Sequence, residues 1–320
     1  MKKAAVIGSG IAGLAVAIRL KTEGYDVCVF EKNKTPGGKI SEFTTNGYRF
    51  DTGPSLFTLP EMVNELFETS GKEASKYLLY SKLDIVCRYF YPDGTIIDSY
   101  QEAKKFAQEI EMKTGEPASH VLNHLDTCHE LYYKTAEVFI FSNFHKIKNY
   151  FSKPYQKTLF YLHRMDFFLN LHQRHSRTFK NKKIVQLFDR YATYNGSNPY
   201  QAPATLKMIA HLEHNTGAFF PAGGMYSIVK ALHKLALEMG VVFKMETTVE
   251  EICIENNTAT GLAINGEKKV FDLVVSDVDV NTLYRNLLKD LKIPRSLKKT
   301  ELSSSADRKS TRLNSSHRIR

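Results

Sequence analysis

The stretch that most constrains this chain runs from Lys3 to Lys39, KAAVIGSGIAGLAVAIRLKTEGYDVCVFEKNKTPGGK. Ala4–Ile7 is a short apolar run of the length of a buried parallel strand. Gly8, Gly10 and Gly13 follow as G-x-G-x-x-G, enclosing Ser9 and Ala12, and the pattern predicts a helix to about Glu23. Val27–Phe30 reads as a second apolar strand with Glu31 at its end. Together these make a βαβ unit with glycines and an acid at the spacing a dinucleotide requires. Gly8 permits the tight turn, Gly10 leaves the backbone open to a pyrophosphate, and Gly13 lets helix and strand pack closely. The amides at the helix start, with the helix dipole, favour phosphate charge. Glu31 suits both hydroxyls of an adenosine ribose and repels a 2′-phosphate. NADP is therefore disfavoured, and FAD and NAD remain.

A basic start, Met1-Lys2-Lys3, ahead of an apolar run imitates a secretory signal. The run lacks a small-residue cleavage site and continues into Arg19, Glu23 and another strand, so the signal reading is rejected. The chain of 320 residues is long enough for two domains. Its 42% hydrophobic and 24% charged residues are ordinary for a globular protein, and no run of eighteen apolar residues predicts a spanning helix. Cys28, Cys87, Cys128 and Cys253 are scattered without metal-ligand spacing, so no metal site is expected. Cys28 and Cys253, in apparent strands, read as small buried hydrophobes in a reduced, cytoplasmic setting.

Behind Glu31 and Lys32 comes a second glycine turn, Pro36-Gly37-Gly38-Lys39. Paired glycines let backbone approach an extended cofactor closely. Ile40–Thr44 and Tyr48–Phe50 read as a hairpin about Asn46-Gly47, Asp51-Thr52-Gly53-Pro54-Ser55 is irregular, and Pro60 opens a helix to about Thr69. In these residues the chain resembles the FAD-dependent carotenoid desaturases of the bacterial phytoene-desaturase type. The shared features are G-S-G-I-A-G-L, then E-K-x-x-x-x-G-G-K, then Y-R-F-D-T-G-P-S. The wider group includes amine oxidases and prolycopene isomerases. The resemblance implies that Gly8, Ser9, Gly10, Ala12, Gly13, Glu31 and Lys32 serve the ADP half of FAD. It likewise implies that Gly37, Gly38, Lys39, Gly53, Pro54 and Ser55 lie along the cofactor towards the flavin, and that the backbone at Val249 holds the adenine.

Tyr77–Tyr80, Asp84–Tyr91 and Ile96–Ser99 read as a β-meander flanking the substrate side. Ser99 and Glu102 form the pattern of a capping box for the next helix. A further helix is expected from Pro117 towards Phe141. Between Tyr132 and Phe168 there are twelve aromatics, interleaved from Lys146 onward with Lys148, Lys153, Lys157 and Arg164. The net charge of +10 belongs to this region and to the tail: residues 142–183 carry ten Lys/Arg against Asp166 alone, and residues 303–320 five against Asp307. An aromatic helical core with a solvated basic face, and a surface for an anionic membrane, both fit this composition. No nucleic-acid-binding signature accompanies it, and nucleic acid is not an expected partner. His145, His163, His172 and His175 lack accompanying carboxylates and read as surface or structural.

Residues 183–226 resemble the desaturase tract that leads back to the cofactor domain. They include a loop at Asn195–Pro199, a helix over Gln201–Glu213, and Phe220–Met225 entering an amphipathic helix to Glu238. Asp189, Arg190, Tyr194 and His211 are pocket candidates or ordinary polar residues, none assigned as catalytic. Strands are expected at Val241–Lys244, Thr248–Ile254 and Phe271–Ser276, with turns at Asn256-Asn257 and Asn265-Gly266. The strand ending at Val275-Ser276-Asp277 resembles the family's re-entry beside the FAD.

The expected fold class is α/β: a discontinuous Rossmann-like FAD-binding domain, 1–104 and 217–302, with an inserted meander and a helical, aromatic-rich substrate domain, 105–216. Ser303–Arg320 is Ser- and Arg-rich without apolar periodicity and reads as a non-native tail. The resemblance ends near Leu302, short of the family's closing glycine-rich segment, so a truncated desaturase is expected. The resemblance implies desaturation of phytoene or a hydroxylated carotenoid, leaning to the 3,4-desaturase branch. It implies a lipophilic polyene as substrate and a location on the inner face of the cytoplasmic membrane. Alternatives are a flavin-dependent carotene isomerase, an amine oxidase-like enzyme, or an inactive fragment. No base or nucleophile motif is present, which suits chemistry carried by a flavin and leaves no catalytic side chain to name.

Overall fold

In a computed structural model, the structure describes residues 1–139, 155, 158, 161, 165–166, 168–289 and 291–298. β1 (Lys3–Ile7), α1 (Ile11–Thr22) and β2 (Asp26–Phe30) open the chain, followed by β3 (Ser41–Thr45), β4 (Tyr48–Thr52) and α2 (Glu61–Thr69). Then come β5 (Tyr80–Lys82), β6 (Ile85–Phe90), β7 (Ile96–Tyr100), α3 (Ala103–Thr114), α4 (Ala118–Phe139), α5 (Leu171–Thr178) and α6 (Lys182–Asp189). β8 (Phe219–Pro221), α7 (Tyr226–Glu238) and β9 (Val242–Lys244) lead to β10 (Glu251–Glu255), β11 (Thr258–Ile264), β12 (Glu267–Val270) and β13 (Leu273–Ser276).

The chain divides into two compact units: the described residues of Met1–Ser81 and Phe220–Leu302 form one, those of Lys82–Phe219 the other. The first is built on a four-stranded parallel sheet in the order β13-β1-β2-β9. β1 is central, and Ala4, Ala5 and Val6 are wholly buried. Burial on both faces is what a continuous apolar run in a parallel sheet produces. α1 packs along α7, each burying an apolar stripe that includes Leu14, Ala17 and Ile18 in α1 and Val229, Leu232 and Leu235 in α7. The antiparallel sheet β10-β11-β12 packs against Ala5, Ile7 and Phe30 through Ile252, Leu262 and Ile264. Truncating a buried leucine such as Leu262 to alanine costs about 2–5 kcal/mol at a site of this kind.

In the second unit, β6 and β7 form a two-stranded sheet whose Ile97 packs with Phe106 and Ile110 of α3, Leu125 of α4, and Phe188 of α6. α3 stops at Gly115, which takes the left-handed conformation at φ 72°. α5 begins with a capping box: the Asn170 side chain accepts from the Gln173 amide, and the Gln173 side chain accepts from the Asn170 amide.

Several expectations are corrected. Tyr77 follows a 3₁₀ turn at Ala74–Lys76, and the strand lies at Tyr80–Lys82, pairing with β8 and not with β6, so there is no three-stranded meander. Ser99 caps nothing: the pleat puts it with Ile97 on the buried face of β7, and α3 starts at Ala103 without a side-chain cap. The helix over Gln201–Glu213 is instead a 3₁₀ turn at Ala204–Met208, one α-turn at Ile209–His211 and a π-turn at Leu212–Thr216. Pro203 precedes them in extended conformation, bridged to Asn170, and prevents an earlier helical start. β10 begins at Glu251. Cys28 and Cys253 are half-buried, whereas Cys128 is buried.

The compact units meet at 81/82 and 219/220; the domain bounds expected from the resemblance lie at 104/105 and 216/217. The difference is the β6–β7 hairpin, whose Ile97, Tyr89, Tyr91 and Tyr100 pack into the core of the second unit. Of the aromatic stretch, Tyr132, Tyr155 and Tyr161 are buried while Tyr133 and Phe168 are exposed. Phe141, Phe144, Tyr150, Phe151, Phe160, Phe167, the basic residues from Lys146 to Arg164, His145, His163 and the tail lie outside the described residues.

Candidate cofactor site

The site grows from the turn between β1 and α1. Gly8 adopts φ +97°, a conformation glycine takes without strain, and its amide donates to the Phe30 carbonyl at 2.9 Å. A Cβ placed on Gly13 would lie 2.1 Å from the Gly8 carbonyl oxygen, so only glycine lets α1 sit this close to the turn. The second glycine turn is laid on the first. The Gly37 amide donates to the Ser9 carbonyl at 2.8 Å, and a Cβ on Gly38 would come within 3.2 Å of the Gly10 Cα. Gly53 adds a third layer, since its Cβ would lie 2.0 Å from the Lys39 carbonyl oxygen. The structure therefore brings Gly8, Gly10, Gly13, Gly37, Gly38 and Gly53 into one run of touching backbone.

The remaining candidates are distributed around this run. Ser9 is buried, while Ala12, Lys32, Lys39, Pro54 and Ser55 are exposed. The Val249 side chain is buried with Ile7, Phe30 and Ile252, and two residues earlier the Thr247 amide donates to the Glu31 carbonyl at 2.8 Å. The backbone leading to Val249 thus runs beside Glu31.

Glu31 is held at the end of β2 and is 5% exposed. One carboxylate oxygen accepts from the Ser9 amide and Ser9 Oγ, both at 2.8 Å. The other accepts from the Asn33 amide at 2.9 Å and from Asn33 Nδ2 at 2.7 Å. Its lone pairs are fully used, so any diol reaching this carboxylate would have to take the places of Ser9 Oγ and Asn33 Nδ2. Asn33 escaped the sequence analysis, although an Asn two residues beyond an acid is a familiar local hydrogen-bonding pattern.

Asp277 follows β13. Its amide donates to the Ile7 carbonyl at 3.0 Å, and its carboxylate accepts from the Gly13 amide at 3.2 Å. α1 has no capping side chain of its own. Burial pushes the Asp277 carboxyl above its usual range and the Glu31 charge adds to this, while the Gly13 amide and Lys39 oppose it. A floor of glycine backbone, a helix start and an acid at the neighbouring strand end fit a pyrophosphate-bearing dinucleotide. No cluster of metal-binding side chains is present among the described residues.

The polar candidates of the second unit serve its interior. Asp189 holds two histidines, His172 Nδ1 at 2.6 Å and His175 Nδ1 at 2.7 Å. Arg190 and Tyr194 both donate to Glu213, a fully buried carboxylate whose role nothing local in the sequence signals. His211 Nδ1 lies 2.7 Å from Asn215 Nδ2, and its ring packs against Tyr132 at 4.6 Å.

The family described as "Flavin containing amine oxidoreductase" matches residues 11–310. The chain belongs to the flavin-containing amine oxidoreductases. FAD is the cofactor of this family, and the α/β, Rossmann-like FAD-binding class expected from the sequence is borne out. The 1-hydroxycarotenoid 3,4-desaturase of Flavobacterium sp. (strain P99-3) is 40% identical over 306 residues, covering 96% of this chain and 62% of that protein. The 4,4′-diapolycopene oxygenase of Methylomonas sp. is 30% identical over 288 residues, covering 89% and 57%. The chain spans less than two thirds of the length of these relatives, and they bear out the resemblance to carotenoid desaturases. Among solved structures, a putrescine oxidase triple mutant matches with TM-score 0.64 at 14% identity over 93% of this chain and 62% of its own. An oxidoreductase from Methanosarcina mazei matches at 0.60 and 17% identity over 91% and 62%. At such identities the likeness is one of fold.

Proposed function

We propose that the protein is an FAD-dependent oxidoreductase acting on a CH–CH bond of a carotenoid, either phytoene or a hydroxylated carotenoid. The observation that carries this is the 40% identity to a hydroxycarotenoid desaturase over 96% of the chain. FAD, when bound, supplies the hydride acceptor for removal of two hydrogens beside a polyene, the second leaving as a proton. The first unit is the cofactor domain. Gly8, Gly10 and Gly13 seat the pyrophosphate, with Ser9 and Ala12 in the same turn. Glu31 binds the adenosine ribose beside Lys32, and the backbone at Val249 faces the adenine. Gly37, Gly38, Lys39, Gly53, Pro54 and Ser55 follow the cofactor towards the flavin. The second unit takes the lipophilic polyene and excludes water from it.

The basic, aromatic stretch supports a peripheral membrane surface on the cytoplasmic side, because a polyene is dissolved in lipid and Lys/Arg are drawn to anionic headgroups. No described helix is long and apolar enough to cross a membrane. The test of function is expression of the gene containing this chain in a pigment-producing host. Pigments lighter by two hydrogens, absorbing at longer wavelength, are expected. Unchanged mass with altered geometry would make the protein an isomerase, and gain of oxygen would align it with the oxygenase relatives. Unaltered pigment would overturn the proposal.

A further inference from the structure

The parallel sheet places two acids around one helix start. β1 is central, with β2 on one side and β13 on the other, and each of these neighbours ends in a carboxylate. Glu31, after β2, is bonded to Ser9 and Asn33 and stands where a ribose is read. Asp277, after β13, stands on the phosphate side. Its Oδ2 is 3.2 Å from the Gly13 amide and would lie 2.6 Å from a Cβ on Gly10; its Cβ would lie 3.6 Å from one on Gly8. The glycine-cleared space that admits a phosphate to the backbone is therefore the space the Asp277 carboxylate faces. Its main chain is pinned by the bond to Ile7, so only the side chain is free to turn away.

Resting on the nucleotide reading above, we infer that Asp277 is an internal competitor of the cofactor pyrophosphate: both claim the Gly13 amide at the start of α1, and the dinucleotide binds by displacing the carboxylate. The chemistry is one of like charge. A pyrophosphate diester brings two negative charges to a place already holding an aspartate, with Glu31 close by and Lys39 as the nearby cation. The Asp277 carboxyl is already raised above its usual range by desolvation and by the Glu31 charge, against the Gly13 amide and Lys39. The Gly13 amide contact is long for a charged acceptor, so little binding is lost when it opens. Asp277 thus sets how tightly the site takes any dinucleotide, whatever that molecule carries beyond its pyrophosphate.

The test is calorimetric titration of the full chain with ADP-ribose, whose pyrophosphate is a diester, alongside uncharged adenosine. Asp277→Asn, which preserves shape and removes the charge, is expected to bind ADP-ribose about tenfold more tightly than the parent near neutral pH, with adenosine affinity unchanged. Asp277→Ser serves as a second variant should the asparagine chain fail to fold, and the same gain is expected. Unchanged or weaker ADP-ribose binding by both variants, with the parent still binding, would overturn the inference alone. An equal gain for adenosine would also overturn it, since the effect would then be structural and not electrostatic. Failure of parent and variants alike to bind ADP-ribose would sink the nucleotide reading, and the inference with it.

Discussion

Replacing Glu213 by glutamine keeps the side-chain volume and removes its charge, and the second unit is built so that this matters. The Glu213 carboxylate is fully buried and accepts from Arg190 Nη2 at 2.6 Å, from Tyr191 Oη at 3.0 Å and from Tyr194 Oη. Arg190 is 24% exposed along its side chain, and its other hydrogen-bond partner is the neutral hydroxyl of Tyr89 at 2.6 Å. A glutamine offers one acceptor oxygen to three donors and turns an NH₂ towards the rest. A tyrosine hydroxyl can rotate and accept; a guanidinium cannot. The variant therefore leaves a mostly buried cation without its counter-charge, a change that costs about 3–5 kcal/mol. At about 2–4 °C per kcal/mol for a chain of this class, the melting temperature falls by about 6–20 °C. The sequence has no tryptophan, so urea unfolding is best followed by circular dichroism. The cycle is completed with Arg190→Met and the double variant, which removes both charges and is expected to recover at least about 2 kcal/mol as coupling. A Glu213→Gln chain within about 1 kcal/mol of the parent, or a cycle without coupling, would refute the claim that this pair is an obligate buried ion pair.

Acid lability follows from buried histidines in the same unit. His214 bonds Tyr100 and Tyr191 and stacks on Phe106 at 4.3 Å, and burial pushes its pKa down to about 4. Burial also lowers His124 and, against the pull of Asp189, His175. A folded pKa below the unfolded value means the unfolded chain binds more protons in between. Stability is therefore full above about pH 6.5 and is lost as pH falls towards about 4, by about 3 kcal/mol from His214 alone. Urea midpoints measured from pH 7.5 to 4.5 should fall over that window, and a flat profile would refute it. For the membrane surface, the chain should sediment with phosphatidylserine vesicles at low salt and be released near 0.5 M salt, since each Lys/Arg contributes about 1 kcal/mol. No sedimentation at low salt would remove that reading.

The β1–α1–β2 unit was legible because its determinants are local. Gly13 is needed for its contact with Gly8 five residues earlier, whereas the space at Gly10 is bounded by Asp277 from the far end of the chain. The fate of Ser99 was legible too, by strand alternation with Ile97, but the Ser-x-x-Glu pattern competed with it and the pleat decided. Glu213 was not legible. Its partners Arg190, Tyr191 and Tyr194 lie in a 3₁₀ turn about twenty residues earlier, and only tertiary packing brings them onto a π-turn. The helix expected over Gln201–Glu213 failed for a related reason: its residues have helical pattern, but Pro203 fixes the entry and the buried polar groups fix the winding.

The two acids of the cofactor site show what sheet order adds to a motif. An acid closing a strand after a glycine fingerprint is read as the ribose partner, and Glu31 has the place at the end of β2 that this reading requires. Asp277 also closes an apolar parallel strand bonded to β1, and its sequence context distinguishes it little from Glu31. What separates them is the side of β1 on which each strand lies. The chain leaves β1 through α1 to reach β2, so the helix start opens towards the crevice between β1 and β13, where the strand order reverses and ligands of open α/β sheets bind. A carboxylate on the β2 side meets hydroxyls. One on the β13 side meets the helix amides and whatever phosphate they hold, and there the same functional group opposes the cofactor it would elsewhere help to bind.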